Sequence, residues 1–86
     1  MRKISFLPDA FEQFNHWSRE DRRIQKRIGE LIKDILRDSF DGIGKPEPLK
    51  GNLKGLWSRR ITEEHRLVYE VTDSEILIYS CRFHYK

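Results

Sequence analysis

Cysteine is almost missing from this chain. Cys81 stands alone among 86 residues, which excludes an internal disulfide and every cysteine-rich metal site. It lies in an apolar run, where a small buried hydrophobe is the ordinary reading. Long apolar runs are missing too: no stretch approaches the ~20 residues that cross a bilayer, and the N-terminus lacks the build of a signal peptide. A cytoplasmic location is expected. None of His16, His65 and His84 has metal-ligand spacing, and no metal or other cofactor is expected. There is no repeat, linker or second compositional zone, so residues 1–86 are read as a single domain.

A strong excess of one charge is also absent. Seventeen Lys and Arg against fourteen Asp and Glu leave a formal +3, too little to name a polyanionic partner. The distribution says more. Lys45, Lys50, Lys54, Arg59, Arg60 and Arg66 face only Glu47, Glu63 and Glu64 between positions 45 and 66. A basic segment beside aromatic residues is the electrostatic footprint of a nucleic-acid binder, although a solvated surface has the same composition.

What is present in quantity is hydrophobic periodicity. Arg2–Phe6 alternates and reads as a strand. Pro8 suits the first turn of a helix, along which Phe11, Phe14 and Trp17 form one apolar stripe. Ser18 offers a cap, with Asp21 three residues on, for a second helix. Its face is Ile24, Ile28, Leu31, Ile32, Ile35 and Leu36. Two such helices in succession predict an αα-hairpin. From Asp38 to Gly55, two prolines and four glycines leave little room for regular structure, and so long a loop is usually functional. Leu56–Ile61, Arg66–Val71 and Glu75–Arg82 then read as three antiparallel strands. The expected order is β-α-α-β-β-β, an α+β fold with an antiparallel sheet and two helices on one face.

Alternation puts Leu67, Tyr69 and Val71 toward the helices, leaving Arg66, Val68 and Glu70 on an open face. A hairpin register opposing Arg60 and Arg66 would pair two guanidiniums there, with Arg82 and His84 on a neighbouring strand. Like charges placed opposite one another destabilise a sheet, whereas guanidinium forks match phosphate oxygens. The competing reading is surface pairing with Glu63, Glu64 and Glu70. In Lys45-Pro46-Glu47-Pro48-Leu49-Lys50, each proline fixes its own φ and restricts the residue before it. Glu47 is therefore a stiffly presented carboxylate. His84 sits between Phe83 and Tyr85, aromatics suited to stacking on bases. His16 and His65 have no comparable company.

The segments Lys45–Lys50, Trp57-Ser58-Arg59-Arg60-Ile61-Thr62-Glu63-Glu64-His65-Arg66-Leu67-Val68-Tyr69 and Cys81-Arg82-Phe83-His84-Tyr85 together resemble the YoeB (Txe/YoeB) toxins, over almost the whole chain. The resemblance implies a RelE-like fold of the RelE/ParE superfamily and the toxin half of a bacterial type II toxin–antitoxin pair. It implies a metal-independent endoribonuclease that cuts mRNA in the A site of the 70S ribosome. The implied partners are a YefM-type antitoxin and a second copy of the chain. The general base falls on Glu47, the phosphate-stabilising arginine on Arg66 and the general acid on His84. Lys50, Arg60 and Tyr85 match supporting positions, and Arg82 joins them from the charge argument above. Two other functions are compatible with the same fold: a ParE-like gyrase inhibitor that needs no catalytic trio, and an inactive RNA-binding module.

Overall fold

The computed structural model describes residues 1–83. Strand β1 (Lys3–Phe6) leads into helix α1 (Pro8–Glu20) and helix α2 (Arg22–Arg37). A two-residue strand β2 (Glu47–Pro48) and a single 3-10 turn (Gly51–Leu53) follow. Strands β3 (Trp57–Arg60), β4 (Arg66–Val71) and β5 (Glu75–Ser80) complete one sheet of order β1-β5-β4-β3-β2. This is the expected α+β arrangement with two additions. Glu47–Pro48 pairs with β3 as a fifth strand, where the sequence offered only a loop. And β1 lies parallel to β5, so the sheet is mixed. Leu7 alone separates β1 from α1, its N–H bonding to the Ile78 carbonyl at 2.9 Å. The strand therefore runs beside β5 toward the start of the helix, a direction local alternation does not encode.

Proline at the first turn starts α1, as expected. The break between the helices is made at Asp21, not Ser18. Asp21 is extended (φ −157°, ψ 101°) and accepts the Arg23 N–H at 3.0 Å, satisfying one of the orphan donors of α2. Ser18 stays inside α1, its hydroxyl donating to the Asn15 carbonyl at 2.6 Å. The buried stripe of α1 is also displaced from the expected one. Ala10 and Trp17 are buried and Phe14 packs beside them, while Phe11 is half exposed and meets Phe6 edge-on at 6.4 Å. On α2, Ile28, Leu31 and Ile35 are fully buried, each stabilising by about 1.5–3 kcal/mol relative to exposure.

Leu67, Tyr69, Ile76 and Ile78 meet these helices in the main core, with Ile61 and Cys81. The opposite face is less open than alternation suggested. Leu49, Leu56 and Val68, with Leu53 and Tyr79, form a second apolar cluster. The Pro-rich loop thus folds back over part of the sheet. Gly44 closes that loop at φ +80°, its carbonyl accepting the Arg60 N–H at 2.6 Å; a Cβ there would sit 2.8 Å from Leu31.

Candidate active site

The loop before β2 turns at Lys45, which is left-handed (φ +51°), and then runs extended through Pro46-Glu47-Pro48. Glu47 pairs with Ser58 and Pro48 with Trp57. The Leu49 N–H bonds to the Leu56 carbonyl at 2.9 Å, and the buried Leu49 side chain pins the far end. Proline is tolerated here because β2 is the sheet edge. The Glu47 residue is exposed, on a backbone held at both ends.

Strands β3 and β4 pair Ser58 with Val68 and Arg60 with Arg66. The expected opposition of two arginines is therefore present. Side chains two apart share a face, so Glu47, Ser58 and Val68 form one row and Arg60 and Arg66 the next. Rows ~6.8 Å apart on strands ~4.8 Å apart put Glu47 and Arg66 about 12 Å apart at Cα. Among the described residues, no ion pair joins Arg60, Arg66 or Arg82 to Glu64 or Glu70.

Arg66 is only 9% exposed. Its Nη1 donates to the carbonyls of Thr62 (2.7 Å), Glu63 (3.0 Å) and His65 (3.1 Å). Thr62 shapes that turn, its Oγ1 accepting the N–H groups of Glu64 and His65. One edge of the guanidinium is thus fixed by carbonyl dipoles, which also temper its repulsion with exposed Arg60. Lys50, also exposed, caps the 3-10 turn beside β2, its carbonyl accepting the Leu53 N–H at 3.2 Å.

Arg82 follows β5 and is outside the strand pairing that opposes Arg60 and Arg66. Strand β5 stops at Ser80 because Cys81 is held from α1: its N–H bonds to Gln13 Oε1 (2.8 Å), and its carbonyl accepts Trp17 Nε1–H (3.0 Å). Beyond the strand, the Arg82 guanidinium lies over the rings of Trp17 (5.7 Å) and Phe83 (4.6 Å). The expected catalytic His84 and supporting Tyr85 lie outside the described residues.

Arg59 is the residue that sequence reasoning passed over. Its side chain is completely buried and donates to Tyr69 Oη (3.2 Å), Asp34 Oδ2 (2.6 Å) and the carbonyls of Ile43 (3.1 Å), Asp38 (2.6 Å) and Asp41 (3.2 Å). It fastens the loop that delivers Glu47 to the end of α2. Hydrogen bonds from Arg37, the Ile43 N–H and Arg59 hold the Asp34 carboxyl far below the usual carboxylate range. Among the described residues no His, Cys, Asp and Glu cluster is arranged to hold a metal ion.

A family model for the YoeB-like toxin of bacterial type II toxin–antitoxin systems matches residues 6–85. The chain belongs to the YoeB toxin family. It is thus the toxin of a type II toxin–antitoxin system. Toxin YoeB of Escherichia coli K12 is 57% identical over 83 residues, covering 96% of this chain and 99% of that one. Toxin YoeB of Synechocystis is 56% identical, covering 98% of each. Among solved structures, the YoeB/ParE toxin from Agrobacterium tumefaciens superposes with a TM-score of 0.94 at 45% identity, covering 96% and 99% of the two chains. The YoeB dimer from Staphylococcus aureus gives 0.92 at 50% identity, covering 98% of each. YafQ of E. coli, at 16% identity and a TM-score of 0.79 over 98% of this chain and 94% of its own, shares the YoeB fold. No helix of the described residues is long and apolar enough to cross a membrane.

Proposed function

We propose that this toxin is a metal-independent endoribonuclease that cleaves mRNA in the A site of the ribosome and so arrests translation. The observation that carries the reading is the row of charge on one sheet face: Arg60 opposite Arg66, one row from Glu47. Such a face matches a phosphodiester. RNA carries its own nucleophile, so the protein need supply only a base, an acid and positive charge. Glu47 takes the 2′-OH proton and the 2′-oxygen attacks phosphorus. The bond to the 5′-oxygen breaks, and His84 protonates that leaving oxygen. Arg66, with Arg60 and Lys50, stabilises charge on the pentacoordinate phosphorus. Arg82 and Tyr85 add cationic and aromatic surface for the RNA. The products are a 2′,3′-cyclic phosphate (or, once hydrolysed, its 3′-phosphate) and a 5′-OH.

Solved structures of S. aureus relatives include a YoeB dimer and a YoeB–YefM complex. By extension, a YefM-type antitoxin neutralises this chain, and two copies associate.

The test is mapping of mRNA 5′ ends on programmed ribosomes with purified toxin. Glu47→Ala, Arg66→Ala and His84→Ala each lower cleavage by about 10²–10⁴-fold, the usual yield of positioned acid–base groups. Folded Glu47→Ala and His84→Ala variants that remain fully toxic, with transcripts intact, would replace the nuclease by a non-enzymatic inhibitor.

A further inference from the structure

His65 looked isolated in the sequence, yet it sits between the Arg66 side chain and the Phe83 main chain. It is only 7% exposed, wedged between the Trp17 ring (4.8 Å) and the Phe83 ring (5.5 Å). Its backbone is set by Thr62 Oγ1, which accepts its N–H at 3.0 Å. Two contacts then point in different directions. Its carbonyl accepts from Arg66 Nη1 at 3.1 Å, and its Nδ1 accepts the Phe83 N–H at 2.7 Å. The Arg66 N–H in turn bonds to the Phe83 carbonyl at 3.1 Å. Phe83 is therefore gripped on both sides of its Cα, and it needs to be. At φ +63° it is left-handed, a conformation bulky residues keep only where the surroundings enforce it. A main-chain N–H has no choice but to donate, so Nδ1 carries no proton and the imidazole is neutral and protonated at Nε2.

We propose that His65 is a positioning residue: as a neutral Nδ1 acceptor it sets the Phe83 main chain against Arg66, whose guanidinium its own carbonyl holds. The inference rests on the nuclease reading above, since it gives that placement a catalytic purpose. Filling the space is not enough for this role. Leucine would fill much of the same volume but has no acceptor, whereas Asn places Oδ1 two bonds from Cβ, as His places Nδ1.

The experiment compares wild type, His65→Leu and His65→Asn, each checked for folding by thermal melting. Two readouts are taken: single-turnover mRNA cleavage on programmed ribosomes, and exchange of the Phe83 amide by NMR. In His65→Leu the maximal cleavage rate falls about tenfold or more, as displacement of a catalytic group predicts. The half-saturating toxin concentration stays within about twofold, because ground-state binding is untouched. His65→Asn recovers most of the rate, and Phe83 amide protection is lost in Leu and kept in Asn. A folded His65→Leu that cleaves like wild type overturns the proposal, as does an Asn variant no better than Leu. A Phe83 amide exchanging equally fast in all three overturns the clamp itself. Wild type that fails to cleave, with the Phe83 pattern as expected, overturns the nuclease reading and the catalytic purpose given to His65, not the clamp.

Discussion

Arg59 carries its charge with no exposed surface, and all of its stabilisation comes from five acceptors spread over α2, the following loop and Tyr69. Removing it takes the buried donor from three loop carbonyls and one partner from Asp34, which keeps its bonds from Arg37 and the Ile43 N–H. Arg59→Met is expected to lose about 1.5–3 kcal/mol, the usual worth of hydrogen bonds to a charged group, read as a lower urea midpoint. Arg59→Lys does not rescue it, because a point charge cannot reach acceptors arranged around a planar fork. Asp34 adds a pH dependence of definite sign. Its folded pKa is depressed below the ordinary 3.8, so the unfolded chain binds the proton first as acid is added. The stabilisation is complete at pH values well above 3.8 and is lost as pH falls through and below it. Melting temperature in Asp34→Asn should therefore start lower than wild type near neutrality and fall less steeply on acidification. Arg59 was legible in principle. Alternation places it between Ser58 and Arg60, on the inward side beside Leu67, and an inward charge demands a partner. What the sequence could not show is that the partners come from a loop.

The same divide holds for elements. Alternation does not fix the Arg60–Arg66 register, but strands β3, β4 and β5 and the long helix α2 follow from periodicities of two and 3.6, which are local and strong. Strand β2 does not, since two residues have no period and prolines argue against a strand. The cap of α2 was misplaced because Ser18 matched a pattern that Asp21 fulfils in fact. Asp21→Ala tests that assignment. It should cost about 1 kcal/mol, the usual worth of an N-cap, whereas Ser18→Ala costs only a few tenths by gaining helix propensity as it loses its carbonyl contact. Urea unfolding at unchanged slope separates the two. At the site, the stiff carboxylate arm was legible from Pro46 and Pro48. The anchoring of residues 81–83 was not, because Gln13, Trp17 and His65 reach them from distant parts of the chain.

Across the whole molecule, Cys81 marks where the core closes. It is fully buried, its Sγ lies 3.6 Å from the Ala10 carbonyl, and burial pushes its thiol pKa up to about 12. Only the thiolate is nucleophilic, so the native chain should resist thiol reagents near neutrality. Labelling should proceed at the rate at which segment 81–83 or the entire core opens, and accelerate sharply through the urea transition. Labelling as fast as that of a free thiol would show that the segment is not docked. The tryptophans divide the site in a related way. Trp17 donates its indole N–H to Cys81 and packs against His65, while Trp57 pairs with Pro48 and lies 4.8 Å from the Phe40 ring. Each of the two segments that carry the proposed site residues therefore has its own fluorophore. Single-tryptophan versions of the toxin would let the carboxylate arm and the C-terminal segment be watched separately, by their own emission, as RNA or an antitoxin arrives.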